Sequence, residues 1–291
     1  MQRLRTVLVG AGMLLCATAA RAESDLRPSG KLLLTEGVSD IEGAAGGGIS
    51  TWAVITGYET RDGIGANVHA TGIQLKDYQF RSWGAAVGFY DRLELSYAHQ
   101  AFDTQGTGLK LGLGRNFTFG QDVYGAKVKL LGDAVYTQDS WVPQVAVGAQ
   151  VKRADQGAVI GLLGGKDDTG VDWYVAATKV YLDESLVLSG AVRATKANQT
   201  GLLGFGGPNN DDYHAEFEGS AALLLTKRFA VGAEYRTKPN NLGLKEDDWA
   251  TVFAAFAINK TLSITAAYVD LGEIATFKHQ NGAYLSLQAG F

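Results

Sequence analysis

Cysteine is almost missing from this chain: the 291 residues contain one, Cys16, inside an apolar stretch near the N-terminus. Beyond residue 22 there is none, which excludes disulfides and thiolate chemistry from the rest of the protein. Prolines number four and methionines two. No apolar run after residue 22 approaches the roughly 18 residues that a membrane-crossing helix needs, and the mean hydropathy is −0.02. Any membrane crossing must therefore be made by strands. An excess of positive charge is lacking too. The 26 basic residues less Arg3, Arg5 and Arg21 leave 23 against 30 acidic ones, a net of −7, which argues against nucleic acid as a partner.

The N-terminus has the pattern of a secretory signal. Arg3 and Arg5 precede an apolar stretch over 7–20, and Ala20-Arg21-Ala22 is a small-residue cleavage site that makes Glu23 the first mature residue. Leu15, just before Cys16, is a poor match to a lipoprotein site. The expected organisation is a signal peptide over 1–22 and a single domain over 23–291. Glycine is abundant, 38 of 291 residues, about 13% against a usual 7% or so. Together with frequent Tyr, Trp and Phe, it suits closely spaced strands with aromatic ends.

From residue 48 onward, segments of roughly ten residues alternate apolar with small or polar side chains, the length of a tilted transmembrane strand. They are clearest at 50–59, 62–72, 78–89, 92–102, 121–132, 142–153, 170–181, 185–195, 214–226, 228–237, 248–258, 260–270 and 281–291. Short connections at 59–63, 90–92, 137–140, 183–185, 226–228 and 259–261 alternate with longer ones at 73–77, 103–120, 154–169, 196–213, 238–247 and 271–280. Short periplasmic turns and long extracellular loops are the asymmetry of an outer-membrane barrel. Parity then asks for one more strand before 50–59. Residues 31–35 are the candidate, followed by a Gly-rich external loop at 41–48, for an all-β antiparallel transmembrane barrel of about 14 strands. An alternative makes the Gly-rich stretch a plug and leaves about 12 strands.

In lipid the outward face must be apolar, so polar side chains turn to the lumen. At 228–237, Phe229, Val231, Ala233 and Tyr235 oppose Glu234 and Arg236; at 92–102, Leu93, Leu95 and Tyr97 oppose Glu94, Ser96 and Gln100. The same alternation makes Asn67, His69, Lys127, Lys129, Lys152, Lys179, Arg193, Glu216 and Glu218 lumen-lining, together with Glu94, Glu234 and Arg236. The small inward residues Gly125, Gly148, Ala176, Ala191 and Gly232 leave room for water or inserted loops, and 103–120 and 196–213 are long enough to fold inward. The chain ends with Leu285, Leu287, Ala289 and Phe291 on one face, in the manner of the signal read by the barrel-assembly machinery. Trp52, Trp83, Trp141, Trp173, Trp249, Tyr58, Tyr90, Tyr181 and Tyr268 fall near expected strand ends, where interfacial girdles form.

Residues 30–39 (GKLLLTEGVS), 41–48 (IEGAAGGG), 84–96 (GAAVGFYDRLELS) and 123–130 (VYGAKVKL) carry a family resemblance. The chain resembles a proteobacterial family of unknown function with a porin-like outer-membrane barrel, domain-of-unknown-function family 3034. The resemblance covers nearly all of the mature chain and implies the architecture; it supplies no catalytic or ligand residues.

The function expected from these residues is a porin-like channel for passive diffusion of small solutes, in the outer membrane, with lipid and lipopolysaccharide around it and no cofactor. A basic wall (Lys127, Lys129, Lys152, Lys179, Arg193) lies beside an acidic one (Glu216, Glu218, Glu234), which suits either a selective constriction or a sealed lumen whose charges pair. The sealed reading corresponds to a barrel with a structural or binding role through its outer loops. An outer-leaflet lipid enzyme is a third class, with His99 the one outward histidine, but no Ser motif frames it and no catalytic residue is assigned. His214 with Asp211 and Asp212 is read as solvated loop polarity and not as a metal site.

Overall fold

The computed structural model describes residues 31–35, 38–61 and 63–291. The expected signal peptide at 1–22 lies outside the described residues. Twelve antiparallel strands close into a barrel: β3 Ile64–Leu75, β4 Gln79–Phe89, β5 Leu93–Asp103, β6 Thr118–Leu131, β7 Gln144–Ala154, β8 Thr169–Tyr181, β9 Leu186–Thr195, β10 His214–Thr226, β11 Phe229–Arg236, β12 Trp249–Ala257, β13 Leu262–Asp270 and β14 Asn281–Gly290. Each pairs with its chain neighbours, and β3 pairs with β14 to close the ring. Closure removes every sheet edge, which a hydrocarbon surrounding demands because an unpaired backbone amide finds no partner there.

The strands form where side chains alternate, and burial follows the alternation. In β3 the inward residues Asn67, His69, Thr71 and Ile73 are buried, while Ile64 and Ala70 are exposed. On the outer face Trp83, Leu95, Tyr124, Val175, Phe217, Tyr235, Val252, Leu285 and Leu287 are exposed, the apolar belt that lipid covers.

The count of twelve corrects the expected fourteen and agrees with the alternative. Residues 31–35 and 50–59 are not barrel strands: they belong to a segment, described over 31–35 and 38–59, that fills the lumen, and among these described residues the short ribbon of β1 (Val38–Ser39) and β2 (Ala45–Gly46) is the regular structure. The external loop expected at 41–48 is likewise inside the barrel, where every one of those residues is buried. Three aromatics placed in the girdles, Trp52, Tyr58 and Trp249, are interior instead. Trp83, Tyr90, Trp141, Trp173 and Tyr268 are exposed on the surface.

One end of the barrel carries tight turns, as at 90–92, 182–185, 227–228 and 258–261, and the other carries longer loops. The connection at 132–143 is an exception at the turn end: it folds over the opening, and Ala134 and Val135 pack against Trp52 and Val54 of the lumen segment. At the loop end two short helices, α1 Thr107–Lys110 and α2 Gly157–Leu162, and a 3-10 turn at Asn198–Gly201 lie over the mouth. Among the described residues no helix is long and apolar enough to cross a membrane, a test that says nothing of strands.

Candidate functional site

The lumen segment, called the plug below, has almost no sheet of its own, so its backbone groups need partners that the wall supplies. Glu234 of β11 accepts from the amides of Gly48 (2.8 Å) and Ile49 (3.1 Å) and from the Ser50 hydroxyl (2.5 Å). Glu218 of β10 accepts from Thr51 N (2.7 Å), and Glu94 of β5 from Ala45 N (3.1 Å) and Thr56 N (2.9 Å). Lys127 Nζ donates to the carbonyls of Ala45 (3.0 Å) and Val54 (2.9 Å) while pairing with Glu94 (3.0 Å). Gln100 and Ser82 both donate to the Ile41 carbonyl. Inward charges therefore serve as hydrogen-bond partners for irregular backbone, and each unsatisfied group they rescue would have cost about 1–3 kcal/mol.

At the centre is Glu42, fully buried on the plug. Its carboxylate meets three cations from three strands: Lys152 of β7, Arg193 of β9 (3.5 Å) and Arg236 of β11 (3.2 Å). Asp172 and Glu218 complete the cluster, Asp172 against Lys152 at 2.7 Å and Glu218 against Arg193 at 2.6 Å. Burial alone would raise the Glu42 pKa, but Arg236, Lys152 and Arg193 together hold it well below the usual carboxylate range. Asp40, two residues earlier, is pushed up to about 7 by burial and by the charge of Glu42.

The remaining inward residues are placed as follows. Asn67 accepts from Ser39 Oγ (2.9 Å), and His69 hydrogen-bonds Ser82 (3.3 Å). Lys129 pairs with Asp91, which also takes Lys31 (3.1 Å). Lys179 donates to the Thr137 carbonyl and so ties β8 to the segment that covers the turn end. Glu216 is half-buried and accepts from Thr237. Of the small inward residues, Ala176 and Ala191 pack on Ala53 of the plug. Gly88 has the same purpose, since a Cβ there would lie 2.3 Å from the Thr56 carbonyl oxygen. The loop at 196–213 folds inward, its Thr200 carbonyl receiving Lys152 (3.1 Å) and Gln121 (3.2 Å).

The sequence offers the plug only as the alternative to an added strand, and apart from alternation it does not point to the apolar chamber above it. Inward residues near the loop ends of the strands, Ile73, Phe80, Phe102 and Phe119, are buried with Ile41 of the plug and with Leu202 and Leu203 of the inward loop. Alternation alone carried a signal for it, because these four occupy the inward parity of their strands.

The sequence profile of a family described as "Protein of unknown function (DUF3034)" matches residues 35–288. The chain belongs to this family. Among solved structures, the DUF3034 chain is similar to the KdgM porin, with 10% identity and a TM-score of 0.51 over 77% of this chain and 99% of that one. It is also similar to the KdgM porin in complex with disordered oligogalacturonate, with 9% identity, a TM-score of 0.50 and the same coverage. Outer membrane phospholipase A from Escherichia coli aligns with 9% identity and a TM-score of 0.42 over 78% of this chain and 92% of that one. No curated protein matches the sequence. The DUF3034 barrel thus has the fold of outer-membrane porins, with tight turns at one end and longer loops at the other as such barrels have.

On the outer face of the DUF3034 barrel, His99 Nδ1 contacts Asp122 at 2.9 Å, and the Tyr97 hydroxyl donates to the same carboxylate at 2.9 Å. No serine is hydrogen-bonded to this pair among the described residues. His214 and Asp211 do not converge: Asp211 takes Lys196 (3.0 Å), and no cluster of three or more metal-type ligands forms among the described residues.

Proposed function

We propose that this protein is a conduit for small solutes across the outer membrane, held shut at rest by the plug. The single observation that carries this reading is Glu42: one buried plug carboxylate gathers cations from three different strands, so the lumen is occupied and charge and hydrogen bonds anchor the occupant at its centre. An ion pair in a closed lumen gains little over an apolar contact of the same shape, because desolvation offsets its attraction. When the plug moves and water enters, the exposed wall charges are resolvated, whereas a plug packed on an apolar wall would leave hydrocarbon in water. A polar seat is therefore suited to release. The lumen-lining set, from Asn67 and Glu94 to Lys127, Lys152, Arg193, Glu218, Glu234 and Arg236, then becomes the wall of an open passage. No reaction is part of this reading, and His99 with Asp122 is a polar pair at the lipid rim.

A tether tests it. The chain has no cysteine after residue 22, so Ser39→Cys with Asn67→Cys can join plug to wall without competing thiols. In planar-bilayer recordings with graded urea, the reduced protein should show discrete openings and the oxidised protein none. Failure of the reduced form to open at any urea level that leaves the barrel folded would defeat the conduit and leave a sealed barrel.

A further inference from the structure

Above the plug the barrel does not continue as a polar passage. It widens into a cavity of about 140 Å³ enclosed by the loops. Its floor is Ile41 of the plug, its walls are the inward aromatics Tyr78, Phe80, Phe102 and Phe119, and its roof is made by leucines of the long loops, Leu163, Leu202 and Leu203 among them. We infer that this chamber binds a small, neutral, apolar molecule of about one aromatic ring.

Three features separate it from a gap left by imperfect packing. Loops at an extracellular mouth are normally polar, yet five separate loops here (104–117, 155–168, 196–213, 237–248 and 271–280) each turn apolar side chains inward to one place. The backbone is strained to do so: Gln199, which lines the cavity, has φ 45° and the next residue, Thr200, has φ 60°, a left-handed pair without glycine. Such conformations persist where the surroundings enforce them, often at ligand sites. Gln199 is fixed by Lys238 Nζ on its Oε1 (3.0 Å) and by Glu246, which accepts from its amide (2.9 Å). Finally, the chamber is of a size and lining that water leaves empty and a single ring fills: a cavity of about 150 Å³ lined by Leu, Ile and Phe stays dry and takes up benzene. Aromatic walls favour a ring over a chain of the same volume through edge and offset contacts. Leu109 and Leu162, on α1 and α2 beside the mouth, are exposed and extend the apolar surface outward.

The inference does not depend on the plug opening, and its test is separate. Folded protein in detergent is titrated with 4-fluorotoluene and followed by ¹⁹F NMR against empty micelles of the same detergent. One saturable site per protein is expected, with a bound resonance distinct from micelle signal. Filling the chamber with Leu203→Trp should weaken that site about tenfold or more, since the space the ring needs is taken. Ile274→Phe, a smaller filling change on the opposite side, gives the same answer should the first variant misfold, and heat-dependent gel mobility reports folding of both. Signal no different from micelles alone, or equal binding by a folded filled variant, would overturn the assignment. Binding by a protein that never conducts would uphold the chamber while removing the conduit.

Discussion

Replacing Glu42 by Gln keeps the shape of the plug's anchor and removes its charge. Lys152, Arg193 and Arg236 then lose one partner each, but Lys152 and Arg193 keep Asp172 and both guanidinium groups keep Glu218. Removing one member of a buried ion pair costs about 3–5 kcal/mol, and with these remaining acids the lower end applies, about 3 kcal/mol. At ~1.4 kcal/mol per decade, the displaced fraction of plug rises roughly a hundredfold. Every contact of the Glu42 side chain described above is to the wall, so the loss falls on docking of the plug and not on strand pairing. The assay is open probability in planar bilayers, on protein shown by unheated gel mobility to hold its barrel. Glu42→Gln should open far more often than the parent at equal voltage. A folded variant as silent as the parent would show that this charge does not hold the lumen closed.

Gly47→Ala should loosen the same segment, because an added Cβ would lie 1.6 Å from Glu234 Oε1 and dislodge a carboxylate that holds three plug groups; faster hydrogen exchange over 43–51 is expected, and unchanged protection would refute the clash. The pKa of Asp40 is raised to about 7 from 3.8, so the docked state favours its protonated form and docking weakens as pH rises between roughly 4 and 7. Plug protection, corrected for intrinsic exchange, should fall across that window in the parent and stay level in Asp40→Asn; equal slopes would remove Asp40 as the cause. Leu285→Lys puts a cation on the lipid face in mid-strand and should cost about 2–4 kcal/mol in the urea midpoint for folding into bilayers. A cost below 1 kcal/mol or so would mean that this face meets something more polar than hydrocarbon.

Most of the barrel was legible because lipid imposes one rule on every strand. The segments expected between 62 and 291 match β3 to β14 within a few residues, and the inward side of β5, β7 and β11 is the one that alternation names. The count failed at 50–59 for a physical reason. A plug inside a lumen faces polar wall on some sides and apolar wall on others, so Ser50, Thr51, Trp52, Val54 and Ile55 mimic a strand whose two faces differ. Trp249 turns inward because a strand end touches both girdle and lumen and composition does not say which way the ring points, whereas Trp52 is interior because it belongs to the plug and to no strand. Partner choice was equally hidden. That Lys152, Arg193 and Arg236 converge on Glu42 depends on where the plug lies, and no periodicity within the strands encodes it.

The seam between first and last strands also fixes how the plug is threaded. Lys31 reaches Asp91 at the turn end, Ile41 reaches the floor of the chamber, and Tyr58 returns to the turn end, where its amide donates to the terminal Phe291 carbonyl at 3.0 Å. Entry and exit of the described segment are therefore on one side, so it forms a bight and not a cord passed through a ring. A bight of this kind can be drawn out by a pull from the turn side alone, with no pairing between barrel strands to break.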